Sequence, residues 1–245
     1  MPKTLKVTSR PAPLFGEKPW REHDYWQKPG KGFDLKEDKM KKEYILAILF
    51  FSGLWGMSEA VLGGALYRAD VSYASVPLTI IGFIILTFAR VYFPQKGTAT
   101  FIAACAMLYK FLNAPFFACH LLGIFLMGLC YDLFFNVFRI KNRSLSAVAA
   151  TYLSYVLFAL LVTYIFRYGY WTQAGFAKVL QHVGIGGSIA ALGCAVLVPL
   201  SFWMGEQFKV NFAPPFKLRL QLAPGSISAL TIGLWLFSIV VYFIK

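Results

Sequence analysis

A few polar side chains lie within or at the ends of long apolar runs, and they are the first candidates for chemistry. Glu59 lies deep in the first run. Lys110 and Asn113 end the third run, and His120 lies near the start of the fourth. A charged side chain is costly inside a bilayer, so by default it marks a functional site. Together with Ser188, near the start of the sixth run, these residues predict an outward-facing pocket. Glu59 and Lys110 either pair there or bind opposite ends of a zwitterionic ligand.

A second set of charges is expected toward the inner side of the same apolar segments. Asp132 lies in the inner third of the fourth run, and Glu206 follows the end of the sixth. Arg90 and Arg139 are expected at a depth similar to that of Asp132, which favours a structural ion pair. Between Glu59 and Asp132 the sequence offers only hydroxyl groups, so it does not predict a proton relay.

The histidines are His23, His120 and His182. A haem with two histidine ligands needs two imidazoles at one depth on adjacent helices. His120 and His182 both fall near the predicted outer surface, so haem binding stays open, although a lone histidine at a helix end usually contacts water or a carbonyl. We assign no cofactor and no metal. The sequence also lacks the P-loop, G-x-G-x-x-G, G-x-S-x-G and H-E-x-x-H motifs, so we do not expect an enzyme.

Small residues follow one another at every fourth position of the first apolar run. They are Ser52, Gly56, Ala60 and Gly64. On a helix this spacing places all four on one face, where another helix backbone can approach closely. The sequence therefore predicts a helix-packing face, either within this chain or against a partner.

The composition indicates which elements must position these residues. The chain has 245 residues, 58% of them apolar and 14% charged, which excludes an ordinary soluble domain. A membrane-spanning helix needs about 20 apolar residues. Seven runs near that length are Tyr44–Leu66, Ala74–Phe93, Thr98–Asn113, Phe116–Phe138, Leu145–Phe166, Ile185–Gly205 and Ser226–Ile244. We therefore predict an all-α integral membrane protein, a bundle of six to seven transmembrane helices over residues 44–245.

Residues 1–43 form a polar tail rich in proline and glycine, which we expect to be largely extended and cytoplasmic, with a helix beginning near Leu35. The tail carries 11 of the 24 lysines and arginines. With the tail inside, 19 basic residues face the cytoplasm and five face outward, as the positive-inside rule requires. The net charge of +13 is thus an orientation signal and an attraction to lipid or acidic partners, with no nucleic acid implied.

Two further segments are expected outside the membrane. Residues 167–184 have the pattern of a short helix at the outer interface. Residues 208–222 alternate apolar and polar side chains, a period of two that favours a short hairpin or an extended strap. The segments 1–43 and 206–225 present apolar side chains without a core of their own, so we expect them to contact other subunits.

The stretch Ser52-Gly-Leu-Trp-Gly-Met-Ser-Glu-Ala60, followed by Ala114-Pro115 leading into Gly123, Gly128 and Asp132, resembles the S components of energy-coupling factor transporters. The resemblance covers Ser52–Asp132. It implies a small helical membrane subunit that captures a vitamin or metal from outside and pairs with a coupling protein and two ATPases. It also implies that Gly56 and Ala60 contact the coupling protein.

Two hypotheses about function follow. The first is a non-enzymatic membrane protein that binds a small solute in an outward-facing pocket, as an S component does, in the cell inner membrane or plasma membrane. The alternative is an integral accessory or anchor subunit of a respiratory or electron-transfer complex, near a quinone or haem. The aromatic tail and the segment 206–225 support the alternative.

Overall fold

The computed structural model describes residues 31–113, 118–138, 140–222 and 224–244, with side chains for 42–66, 68–110, 119–138, 140–209, 226–240 and 243. Residues 1–30, Arg139 and the side chain of Asn113 lie outside the described residues, as do most side chains of 206–225. His23 and the first 30 residues of the expected extended tail therefore lie outside the described residues, whereas residues 31–43 are helical, with the helix beginning at Lys31 and not near Leu35. Residues 41–245 form one compact unit.

Regular structure in the described residues consists of helices, with no strand. The seven helices are α1 (residues 31–68), α2 (Ser75–Tyr92), α3 (Thr98–Asn113), α4 (residues 118–137), α5 (Arg143–Ile165), α6 (residues 169–222) and α7 (Pro224–Ile244). The prediction of an all-helical chain is confirmed for this part of the sequence. A helix satisfies its backbone groups internally, which is the requirement that lipid imposes on an apolar segment.

Five helical segments among the described residues are long and apolar enough to cross a membrane. They are Lys42–Leu66, Ser75–Tyr92, Cys119–Val137, Arg143–Ile165 and Gly169–Lys209. Helices α3 and α7 have shorter apolar parts, Thr98–Lys110 and Ser226–Val240. All seven predicted apolar runs thus coincide with helices, and the chain is compatible with a multi-pass membrane protein.

Four π-helical segments widen the helices within the described ranges. They are Glu59–Gly63 in α1, Leu133–Val137 in α4, Leu161–Ile165 in α5 and Gln181–Gly187 in α6. A π-helical turn changes the direction of the side chains that follow it and is frequent at functional sites. Two of these segments begin at polar residues that line the cavity described below, Glu59 and Gln181.

Helix boundaries agree with local chain chemistry. Gly97 adopts a left-handed φ of 84° before α3, a conformation that glycine adopts without strain. The side chain of Asn142 accepts a hydrogen bond from the Leu145 amide at 3.1 Å and so caps α5. The loop 69–74 contains two other left-handed residues, Asp70 and Tyr73.

The expected hairpin or extended strap at residues 208–222 is wrong. The α-helix that begins at Ser188 continues to Leu222. A strand needs a partner for its backbone groups, whereas an existing helix adds each residue with its own hydrogen bond. The expected short helix within 167–184 is present as Gly169–Leu180, interrupted at Gly175.

The core lies between α1, α2, α3, α4, α5 and α6. Its fully buried large side chains include Trp55, Phe83, Leu86, Ile102 and Tyr131. Helices α3 and α4 approach closely at Gly128, where an added Cβ would lie 2.6 Å from the Ala99 carbonyl oxygen. A small residue is therefore needed at this crossing.

The small-residue face of α1 packs partly within this chain. Ser52 and Ala60 are buried. A Cβ on Gly56 would lie 2.4 Å from the Tyr109 ring on α3, so Tyr109 occupies the space that a partner helix would need there. A Cβ on Gly64 would meet nothing within 4 Å. The face therefore contacts α3 at Gly56 and is open at Gly64.

Candidate ligand-binding cavity

A cavity of about 530 Å3 lies between α1, α2, α3, α4, α5 and α6, under the loop 69–74. Most of its wall is apolar, with Leu78, Ile124 and Met127 among the lining side chains. Ligand pockets commonly measure about 300–1,000 Å3 and combine an apolar lining with a few polar groups. The cavity has the size and the lining of a site for a small organic molecule.

One wall of the cavity carries a buried ion pair. Lys110 Nζ lies 3.2 Å from Glu59 Oε2, and the two side chains are 10% and 9% exposed. Lys110 also donates to the main-chain oxygen of Glu59 at 3.2 Å. A Cβ added at Gly63 would lie 3.7 Å from Nζ, an ordinary contact distance, so the Lys110 side chain packs against α1 at this position. The two charges that the sequence singled out are therefore in contact.

The pair retains hydrogen-bonding capacity. Glu59 Oε1 accepts no hydrogen bond from the described part of the chain. Lys110 has three N–H donors and directs its two hydrogen bonds to Glu59. One acceptor and one donor thus remain for a molecule in the cavity.

The other residues predicted for this pocket have different positions. His120 on α4 lines the cavity and lies close enough to Lys110 for the two side chains to interact electrostatically. Ser188 is hydrogen-bonded to the Tyr152 hydroxyl at 2.5 Å and does not line the cavity. The side chain of Asn113 lies outside the described residues. Ligand binding by Glu59, Lys110, Asn113 and His120 stays a prediction.

The wall contributed by α5 and α6 is aromatic. The His182 ring stacks on Tyr155 at a centroid distance of 4.7 Å and an angle of 21°. Phe158 and Trp171 lie 5.3 and 5.1 Å from the same imidazole. These four rings form one connected cluster and all line the cavity. We call the four residues the aromatic wall.

The interruption of the helix at Gly175 brings the residues of this wall together. Gly175 has φ of 60° and ψ of −154°, a conformation that interrupts the helix and that glycine accommodates. In a straight helix, the eleven-residue step from Trp171 to His182 would separate their Cα atoms by about 16 Å along the helix axis. The ring centroids instead lie 5.1 Å apart, in keeping with the kink in the helix at Gly175.

The rim joins the loop 69–74 to α6. Gln181 Nε2 donates to the Tyr73 hydroxyl at 3.2 Å. Lys178 lies 5.1 Å from the centre of the Tyr170 ring, a cation–π contact. Asp70 also lines the cavity. The rim is thus polar, and a single described hydrogen bond between side chains crosses from the loop to the helix.

The two histidines for which haem binding stayed open, His120 and His182, line the same cavity from α4 and α6. The His182 ring is in contact with three aromatic rings. Among the described residues no group of three or more His, Cys, Asp or Glu side chains is arranged to hold a metal ion.

Asp132 lies in a separate polar cluster. Its Oδ2 accepts hydrogen bonds from the Thr100 amide at 2.7 Å and the Thr100 hydroxyl at 2.6 Å. Asn136 donates to Asp132 Oδ1 and accepts from Arg90. Arg90 also donates to the Phe135 carbonyl oxygen at 2.8 Å. Asp132 therefore caps the first turn of α3 and reaches Arg90 through Asn136, a structural role.

Sequence reasoning did not identify the aromatic wall. Trp171 lies in the segment expected at the outer interface, Tyr155 was considered only as one of the hydroxyl groups between Glu59 and Asp132, and Phe158 was not singled out. Their spacing of three residues on α5 was the available signal, since it places both rings on one helix face. Which face points into the cavity depends on helix rotation, which one sequence does not reveal.

Comparison of the chain with protein families, curated proteins and solved structures found no match.

Proposed function

We propose that this protein is an integral membrane protein that binds a small solute in the cavity and does not transform it. The observation that carries the proposal is the buried Glu59–Lys110 pair on the cavity wall. A buried ion pair loses much of its Coulomb energy to desolvation and contributes little to stability. Its position beside an empty volume, with an acceptor and a donor unused, favours a role in binding.

The proposed orientation places the cavity rim on the outer side of the membrane. The charge distribution supports this orientation, because the loop 69–74 and the segment 167–184 fall among the regions with few lysines and arginines. A solute-capturing subunit similar to an S component needs such an outward-facing site. Other subunits would contact the segments 1–43 and 206–225, whose sequences contain apolar residues and which we propose to lie on the inner side.

The test uses the full chain purified in detergent micelles. Bound small molecules are released by denaturation and identified by mass spectrometry, and thermal unfolding is then followed with vitamins, amino acids and quinones. We expect one solute to raise the unfolding temperature of the wild type. Glu59→Gln should abolish this shift, measured against the unliganded variant, which should itself unfold at a lower temperature because the buried Lys110 ammonium loses its counter-ion.

Glu206→Gln is the matched control. It makes the same chemical change in the Arg143–Glu206 pair, whose side chains are 45% and 49% exposed and do not line the cavity. This variant should bind like the wild type, since exposed pairs contribute about 0–1 kcal/mol to stability. Undiminished binding by Glu59→Gln would refute the proposal. A Soret band or a bound quinone would instead favour the anchor-subunit alternative.

A further inference from the structure

The cavity presents two chemically different walls. The Glu59–Lys110 pair comes from α1 and α3, whereas the aromatic wall comes from α5 and α6. A solute that fills the cavity touches both walls. Its structure must therefore combine a polar end with a ring-shaped or apolar end.

The charges of the cavity are balanced. Its lining contains two acidic residues, Glu59 and Asp70, and two basic residues, Lys110 and Lys178. Glu59 and Lys110 already neutralise each other, so a solute with net charge would leave one buried charge without a counter-ion. Balance is kept when the solute is neutral or carries one positive and one negative group.

The unused hydrogen-bonding capacity distinguishes these two possibilities. Glu59 Oε1 is a charged acceptor without a donor in the described structure, and the third N–H of Lys110 is a charged donor. Hydrogen bonds to charged groups are stronger when the partner is also charged. An ammonium group suits Glu59, and a carboxylate suits Lys110. The four charges then alternate in sign, so each has a counter-ion on both sides.

The aromatic wall defines the other end of the solute. Phe158 and Trp171 meet edge to face at 5.5 Å, and His182 stacks on Tyr155. A planar ring gains offset-stacked and edge-to-face contacts from such a surface, which a branched aliphatic side chain does not. The lining also supplies apolar area through Ile124 and Met127.

We infer that the solute is an aromatic α-amino acid, with its ammonium and carboxylate groups at Glu59 and Lys110 and its ring against the aromatic wall. This inference rests on the proposed function and names the class of solute that the same cavity takes. The amino acid backbone provides the two charges on one carbon, which matches a pair whose own charges are 3.2 Å apart.

The experiment measures binding to the full chain in detergent micelles by isothermal titration calorimetry. The probes are L-tryptophan, tryptamine, which lacks the carboxylate, indole-3-propionate, which lacks the ammonium group, and L-alanine, which lacks the ring. We expect L-tryptophan to bind best. Each indole analogue should bind about 10- to 100-fold more weakly, because one charged hydrogen bond is lost and one charge is left without a counter-ion.

Variants test each end of the solute separately. Glu59→Gln should reduce the preference for L-tryptophan over indole-3-propionate at least about 10-fold, a ratio that does not depend on how much protein is folded. Trp171→Leu should weaken L-tryptophan binding about 3- to 10-fold. The control Trp203→Leu changes a tryptophan that is 57% exposed and does not line the cavity. This variant should bind L-tryptophan like the wild type.

The outcomes separate this inference from the proposed function. If L-tryptophan, L-phenylalanine and L-tyrosine do not bind, but another molecule binds in a manner that Glu59→Gln abolishes, the inference is overturned and the proposed function stands. Equal binding of L-tryptophan and both charge-deficient analogues also overturns the inference. If no released or added molecule binds, both statements fail.

Discussion

Replacing Gly56 by alanine should destabilise the protein, although alanine is the better helix former. An added Cβ would lie 2.4 Å from Cγ and Cδ1 of Tyr109, whereas carbon atoms in contact prefer about 3.5–4.0 Å. The two helices must therefore separate by about 1 Å, or the Tyr109 ring must move. The ring is fully buried, and its hydroxyl donates to the Leu234 carbonyl oxygen at 2.8 Å.

The expected magnitude follows from these contacts. Overpacking a core costs about 1–3 kcal/mol, and loss of the hydrogen bond to Leu234 adds about 0.5–1.5 kcal/mol. The higher helix propensity of alanine returns about 0.5–1 kcal/mol. We therefore expect Gly56→Ala to lower the free energy of unfolding by about 0.5–4 kcal/mol, with a central value of about 2 kcal/mol.

Gly64→Ala is the matched control on the same helix. Gly64 has helical dihedral angles of −60° and −36°, and an added Cβ meets nothing within 4 Å. This variant should be unchanged or more stable by up to about 1 kcal/mol. A thiol-reactive dye can follow unfolding in detergent, because Cys130 and Cys194 are free and buried in the folded chain. Equal stability of Gly56→Ala and Gly64→Ala would refute the packing argument.

Three further changes test other parts of the fold. Gly128→Ala should destabilise the chain by more than about 2 kcal/mol in the same dye assay. The new Cβ would lie 2.6 Å from the Ala99 carbonyl oxygen, a backbone atom that has little freedom to move. A variant as stable as the wild type would contradict the observed approach of α3 and α4. Asp132→Asn should lower the free energy of unfolding in denaturant by about 1–2 kcal/mol. The substitution removes the negative charge of the carboxylate that accepts a hydrogen bond from the Thr100 amide at the start of α3. An unchanged free energy of unfolding would exclude this capping role. Deletion of residues 1–33 should leave the protein in the membrane fraction, because the inner loops alone keep eight basic residues against five outside. The same deletion should decrease the co-purification of partner subunits. Full retention of partners would show that this segment is not a docking element.

Much of the helical architecture was predictable from local patterns. Each apolar run coincides with a helix because a long apolar segment satisfies its backbone groups by helix formation. The breaks were equally local, as in the left-handed Gly97 before α3. The prediction that failed, an extended strap at 208–222, relied on alternation of side chains alone. That period carries little information when an existing helix can extend through it.

The candidate site was predictable only in its charged part. Glu59 and Lys110 attracted notice because ionisable residues are rare in apolar segments. That they touch each other, 51 residues apart in the chain, depends on how α1 and α3 are rotated and packed. The contribution of His120 to the same cavity likewise depends on the position of α4.

The sequence was enough to determine the helical class, the apolar part of each helix and the two charges that are costly in an apolar environment, since these depend on each residue and its near neighbours. The tertiary structure alone decided that Tyr109 fills the space beside Gly56 and that the break at Gly175 returns Trp171 to His182. The first result depends on a contact between α1 and α3, and the second on the direction that the chain takes after Gly175. Helix rotation and chain direction after a break are determined by packing, which the order of residues along one helix does not encode.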